Sequence, residues 1–218
     1  MTSADPKTGT VALGRLILIR HAKTQYDRNL IPPADPSLDP LVSHDYAAMA
    51  SRLPKDWHWI SSPLKRCAAT TENLISHGAK YAKISTDERL VEQSYGRWHG
   101  QDIATIWETE LAAGPKHNWH FLHPDHIPPE GESFRHLTQR VTPILHELST
   151  SGQDHVVITH GMVIKAMVGV ALGLMPDQAM AFDIAPLSMT GLSRINSGIS
   201  TDHANGGAWQ INFLNQVF

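Results

Sequence analysis

Two apolar runs along the chain end in the same way, on a histidine. LILI at 16–19 leads into Arg20-His21, and HVVIT at 155–159 leads into His160-Gly161. A continuous apolar run with no polar alternation is what a strand buried on both faces requires, so each predicts an inner strand of a parallel sheet. Weaker strand signals lie at 57–60, which stops at Ser61-Ser62-Pro63, and at 83–85. Helical patterns fill the intervals. Pro63 opens one that runs to 76, with His77-Gly78 as its stop. From 132 to 148, Phe134, Leu137, Val141, Ile144, Leu145 and Leu148 mark one helical face, with Pro143 placed to kink it. The stretch 162–172 is apolar nearly all round, hence a buried helix, and Gly173 ends it. Near the end, 189–195 and 209–214 read as two strands joined by a loop, since Trp209, Ile211 and Phe213 alternate with Gln210 and Asn212.

Strands alternating with helices predict an α/β domain, a mainly parallel sheet with helices on both faces. No repeat and no linker divides the 218 residues, a length that suits one domain. The expected organisation is a flexible stretch at 1–14 and a single domain at 15–218. Within that domain, 113–131 (AGPKHNWHFLHPDHIPPEG) is rich in Pro, His and aromatics. A loop of that length in a compact domain predicts a lid or binding loop.

Charge and composition narrow the class. With 18 Lys+Arg against 21 Asp+Glu the net charge is −3, which argues against non-specific nucleic-acid binding as the main task. Fourteen histidines make the surface charge sensitive to pH around neutrality. The single cysteine, Cys67, excludes an internal disulfide and a thiolate-based zinc site. The apolar runs are too short for a signal peptide or a membrane span, so a cytoplasmic protein without membrane contact is expected.

The candidate chemistry lies at the strand ends. Arg20-His21 and His160-Gly161 both fall at the carboxyl edge of the sheet, where open α/β folds bind ligands. Arg66, in SSPLKR (61–66), falls on the first turn of a helix that follows another strand end, and helix N-termini favour anions. Two guanidiniums and two imidazoles converging there describe a phosphate pocket, since the arginine fork matches phosphate oxygens in pairs. Glu92, beside a glycine-punctuated aromatic turn, is the candidate proton donor for a leaving alcohol.

Together the segments LILIRHAKT (16–24), SSPLKRCAAT (61–70), LVEQSYGRWHG (90–100), PPEGESF (128–134) and VVITHGM (156–162) resemble the histidine phosphatase superfamily, or phosphoglycerate mutase-like family. They occur in the family's order and span most of the chain. The length and the short interval between Glu92 and the GES segment are similar to its small phosphatase branch, which includes α-ribazole phosphatase-like proteins. The resemblance implies a three-layer α/β/α sandwich and metal-independent catalysis with no cofactor. It implies His21 as the nucleophile that carries the phosphoryl group, and Arg20 and Arg66 as phosphate clamps. His160 would be a second, cationic histidine completing the clamp, Glu92 the proton donor, and Thr24 and Gly161 further phosphate contacts. Three positions of the first motif depart from the usual Arg-His-Gly-Glu-Thr followed by Asn, namely Ala22, Lys23 and Asp27. A carboxylate at Asp27 would repel phosphate unless paired with Lys23 or Arg28, and the phosphate contact of the usual Asn is not carried over to it. The segment 39–49 matches only loosely, which leaves the local helix start open.

Other chemistries fail at particular residues. The chain has no Walker loop and no Gly-x-Gly-x-x-Gly, and Gly131-Glu132-Ser133-Phe134 lacks the closing glycine of a nucleophile elbow. Cys67 lacks the arginine six positions on that a cysteine-dependent phosphatase needs, and is read as a buried thiol. His117, His120, His123 and His126 repeat every third residue, but Pro115, Pro124 and Pro128-Pro129 break the helix that would align them, so no metal site is assigned. Trp119 and Phe121 are the large apolar side chains of the lid and candidates for covering a leaving group. The expected activity is that of an acid or neutral phosphomonoesterase acting on a small phosphorylated metabolite through a phosphohistidine. A phosphoglycerate mutase-like phosphotransferase and a non-catalytic phosphate-binding scaffold are the alternatives. The partner expected is the small phosphorylated substrate; oligomeric state is left open, a homodimer included.

Overall fold

Strand β1 (Arg15–Arg20) turns its side chains alternately into two cores, which is why its apolar run is unbroken. The computed structural model describes residues 14–112, 122–194 and 209–218. Along the chain follow α1 (Tyr46–Arg52), β2 (His58–Ser61), α2 (Lys65–Ser76), β3 (Lys83–Thr86), α3 (Ile103–Ile106), α4 (Phe134–Thr150), β4 (His155–Thr159), α5 (Gly161–Leu172), α6 (Pro176–Ala179), β5 (Met189–Arg194) and β6 (Trp209–Gln216). They form a six-stranded sheet in the order β3-β2-β4-β1-β5-β6. The first four strands in that order run parallel, and β5 and β6 are antiparallel additions at one edge.

Leu16, Leu18 and Val157 pack on one face against α4, α5 and α6. Ile17, Ile19, Val156 and Ile158 pack on the other against α1 and α2. Helices therefore cover both faces, as the alternation predicts. A third cluster, Ile31, Tyr95, Trp98, Ile106, Leu111 and Leu122, lies beneath the excursion between β3 and α4.

The apolar periodicities fall on observed elements with small shifts. Pro63 does not open α2; the helix starts at Lys65, whose amide donates to the Asp35 carboxylate (2.9 Å). Pro143 lies inside α4 without ending it. Gly173 ends α5 in the left-handed conformation (φ 66°) that its lack of a Cβ permits. The loosely matching segment 39–49 carries the start of α1, capped by Asp45 accepting from Ala48 N. Among the described residues no helix is long and apolar enough to cross a membrane.

Candidate active site

The parallel register sets Arg20 opposite Thr159, so the residues that follow, His21 and His160, emerge side by side. His21 N donates to Thr159 O (2.9 Å), and the two ring centroids are 5.1 Å apart. The Nδ1–H of His21 donates to Ala22 O (2.7 Å). That bond assigns the tautomer: Nε2 keeps its lone pair and accepts from Arg66 Nε at 3.2 Å. Burial, with Arg66 and Arg20 adding to it, holds the His21 pKa down to about 3. The ring is thus a neutral base aimed at the cationic side of the site.

Arg66 is 5% exposed and locked in place, its Nη1 donating to Ala34 O (2.9 Å) and Asp35 Oδ1 (3.1 Å). Arg20 Nη1 donates to Ile184 O (2.5 Å), while its Nε is buried with no partner. Gly161 sits under this guanidinium: a Cβ there would lie 3.3 Å from Arg20 Nε, tighter than an ordinary contact. The bare α5 N-terminus and Arg20 therefore share one surface.

His160 is fully buried behind His21, its Nε2 2.8 Å from Ser62 Oγ and 3.5 Å from Cys67 Sγ. Burial, then Arg66, His21 and Arg20, push its pKa well below the usual imidazole range. With no anion in the site, desolvation and the two arginines disfavour a charge on this ring. Burial likewise pushes the Cys67 thiol up, so it remains an inert packing group.

Glu92 enters from the opposite side, in a segment of short turns. Its Oε1 accepts from Gln93 N (3.1 Å), and Oε2 lies 3.5 Å from Met162 N. Ties from neighbouring elements hold this segment. Thr159 Oγ1 donates to Leu90 O (2.8 Å), Arg140 donates to Arg89 O (2.7 Å) and Val91 O (3.1 Å), and Gln93 Nε2 donates to Glu132 O (3.0 Å). Arg140 also pairs with Glu132 (2.5 Å).

Arg20, His21, Thr24, Arg66, Glu92 and Gly161 all line one cavity of about 500 Å³, so six of the predicted site residues meet there. His160 stands behind that wall. Asp27 does not line the cavity; its carboxylate accepts from Asn29 N (2.9 Å) and shapes a turn. Trp119 and Phe121, with His117, His120 and the 113–121 part of the lid, lie outside the described residues. His126 stacks on Trp98 and His123 is 3.7 Å from Asp125; no metal-holding cluster exists among the described residues.

The sequence reasoning did not single out Asp35, Ser62, Arg140, Lys165 or Asp183. Ser62, like the Glu132 that Arg140 pairs with, lay inside a quoted motif, where its neighbourhood was a usable signal. Asp35 and Asp183 sit in segments with no periodicity, and only the folded chain brings them to the site.

Fold and site together define an α/β protein that gathers histidines, arginines and a glutamate around an anion-sized pocket at the carboxyl ends of its parallel strands. The chain belongs to the histidine phosphatase superfamily (branch 1), whose sequence profile matches residues 16–206. It is 30% identical over 177 residues to a glucosyl-3-phosphoglycerate phosphatase of Mycolicibacterium vanbaalenii, covering 75% of this chain and 76% of that one. It is 25% identical over 179 residues to a 2,3-bisphosphoglycerate-dependent phosphoglycerate mutase of Cytophaga hutchinsonii, covering 78% and 83%. Among solved structures it resembles the α-ribazole phosphatase of Shigella flexneri with a TM-score of 0.69 over 93% of this chain and 96% of the other. At 20% identity that likeness speaks for the fold alone.

Proposed function

We propose that this chain is a phosphomonoesterase that hydrolyses a small phosphorylated metabolite through a phosphohistidine on His21. The observation that carries the reading is the fixed tautomer of His21. With Nδ1–H committed to Ala22 O and the pKa held near 3, Nε2 offers a lone pair at any working pH.

In the first step Nε2 attacks phosphorus in line and the bond from phosphorus to the ester oxygen breaks. Glu92 gives its proton to the departing alkoxide. Arg20 and Arg66, with the Gly161 amide, stabilise the charge spread over the equatorial oxygens, the task a metal performs elsewhere. In the second step Glu92, now ionised, takes a proton from water. The hydroxide attacks phosphorus, the bond to Nε2 breaks, and His21 returns to its starting tautomer. A bound phosphate dianion reverses the local Coulomb balance at His160 and draws its pKa upward, so this ring contributes charge only once substrate has arrived.

Rapid acid-free quenching followed by peptide mass mapping tests the reading. A phosphoryl adduct on His21, labile in acid and stable in base, is expected, and His21→Ala should lower kcat by on the order of 10⁴-fold or more. An adduct on another residue, or near-normal turnover by His21→Ala, overturns it. The relative named as a mutase supports a second reading, transfer to a phosphoglycerate acceptor in place of water. Release of inorganic phosphate that is unaffected by adding such an acceptor excludes it.

A further inference from the structure

Two walls of the cavity are joined by a side chain at the point where backbone pairing between them stops. One wall is the segment 32–36 (PPADP), which supplies Ala34 O and Asp35 to Arg66. The other is the run of turns at 92–99, which carries Glu92. Behind them the backbone pairs residues 29–31 with 100–103. Ile103 N donates to Asn29 O (2.8 Å), Ile31 N to Gln101 O (2.8 Å) and Gly100 N to Ile31 O (2.9 Å). That pairing ends at Ile31, because Pro32 and Pro33 have no N–H with which to continue it. His99 makes the next rung: its Nδ1–H donates to Pro32 O (2.7 Å), and its Nε2 accepts from Tyr95 N (3.2 Å). A ring that donates at one nitrogen and accepts at the other is a neutral imidazole; a protonated ring or an aliphatic side chain cannot make both bonds. His99 is half-buried and lines the cavity together with Tyr95, Pro32 and Pro33.

Glu92 is held between two anchored ends. Upstream, Thr159 and Arg140 fix Leu90 O, Arg89 O and Val91 O. Downstream, Glu132 N donates to Ser94 O (2.9 Å), and His99 takes the Tyr95 amide. Of these anchors, His99 is the one that also reaches the wall that locks Arg66. We propose that His99 is a positioning residue, whose neutral ring sets the separation between the Glu92 carboxyl and the Arg66 side of the cavity. It thereby aims the Glu92 proton at the leaving oxygen, an assignment that rests on the phosphatase reading above. Arg66 keeps anchors of its own, since Asp35 is also held by Lys65 N (2.9 Å). Loss of the bridge therefore loosens the Glu92 wall and leaves phosphate binding in place.

Aryl phosphates of rising leaving-group basicity, from p-nitrophenyl through phenyl to p-methoxyphenyl phosphate, read the aim of that proton. His99→Leu is expected to lower kcat/KM for the last two by about 10-fold, a part of the roughly 10²- to 10⁴-fold that a placed general acid contributes. p-Nitrophenyl phosphate should lose less than about 3-fold, because its phenolate departs with little protonation. The inhibition constant for inorganic phosphate should be unchanged. His99→Gln, whose terminal amide offers a donor and an acceptor, should recover most of the lost rate. If His99→Leu does not fold, His99→Asn takes its place with the same expectation, since its amide lies at the Nδ1 position and falls short of Tyr95 N. Equal losses on all three esters, phosphate binding weakened in step with kcat/KM, or a His99→Gln variant no faster than His99→Leu overturn the assignment. Turnover of p-nitrophenyl phosphate by the wild-type protein then leaves the phosphatase reading standing. Failure of the wild-type protein to hydrolyse any of the three esters defeats that reading, and the role of His99 with it.

Discussion

The two sides of the cavity are built differently. His21, Arg66 and His160 sit at the ends of β1, α2 and β4, where ladder hydrogen bonds and two packed cores fix the backbone before any side chain is considered. Glu92 stands in a run of short turns between β3 and α3, with no ladder of its own. It is placed by Thr159 and Arg140 side chains reaching in from β4 and α4, and by Gln93 of the segment itself reaching out to Glu132 O. The His21 side is thus rigid through regular structure, and the Glu92 side through a few polar ties. Each side has its own way to fail.

The strand-end side should fail in acid. His21 and His160 both have pKa values lowered by burial and by the neighbouring arginines. The unfolded chain binds a proton at each near pH ~6.5, while the folded protein does not until about pH 3 for His21. Stability therefore falls as pH drops below ~6.5, by up to about 1.4 kcal/mol per pH unit for each ring, and the His21 contribution levels off near its folded pKa. Urea unfolding at pH 7, 6 and 5 reads the slope. His160→Asn should make the slope shallower, and an unchanged slope would count against a lowered pKa for this ring.

The Glu92 side should fail selectively. Arg140→Met removes the ties to Arg89 O and Val91 O together with the Glu132 pair. Esters with poor leaving groups should then be hydrolysed about 10- to 100-fold more slowly, the range that general acid catalysis contributes. p-Nitrophenyl phosphate, whose alcohol departs with little protonation, should lose much less. Equal losses on both classes of substrate would show that Arg140 supports the whole fold and not Glu92 in particular.

The smallest effect is expected where the two sides join. Thr159→Val keeps the shape of β4 but leaves Leu90 O without its donor. Loss of about 1–2 kcal/mol, read as a Tm lowered by roughly 2–6 °C, follows from one buried carbonyl left unpaired. A Tm within error of the wild type would mean that the Glu92 segment is held without this tie.

Much of the strand-end side was legible from the chain. A parallel strand buried on both faces must be apolar throughout, so 16–19 and 155–159 announce themselves, and polar residues where such runs stop mark the carboxyl edge. The family motifs there are contiguous because His21, Arg66 and Gly161 each depend on the backbone next to them. The other side was legible only as Glu92 itself. Asp35, which anchors Arg66 from thirty-one residues away, Arg140, forty-eight residues from Glu92, and Lys165 and Asp183 on the cavity wall leave no periodic trace. A polar side chain at a helix surface looks the same in sequence whether it faces solvent or a cavity.

Local pattern and contiguous motifs were enough to specify the α/β alternation, the strand ends that carry the histidines and arginines, and the residue types able to hold a phosphate. Folding decided the rest: that the β1–β4 register puts His21 beside His160, and that His160 lies fully buried behind the cavity wall. Those outcomes depend on distances between segments far apart in the chain and on how much water each group loses. Desolvation and Coulomb interactions are properties of the assembled neighbourhood, which no single stretch of sequence contains.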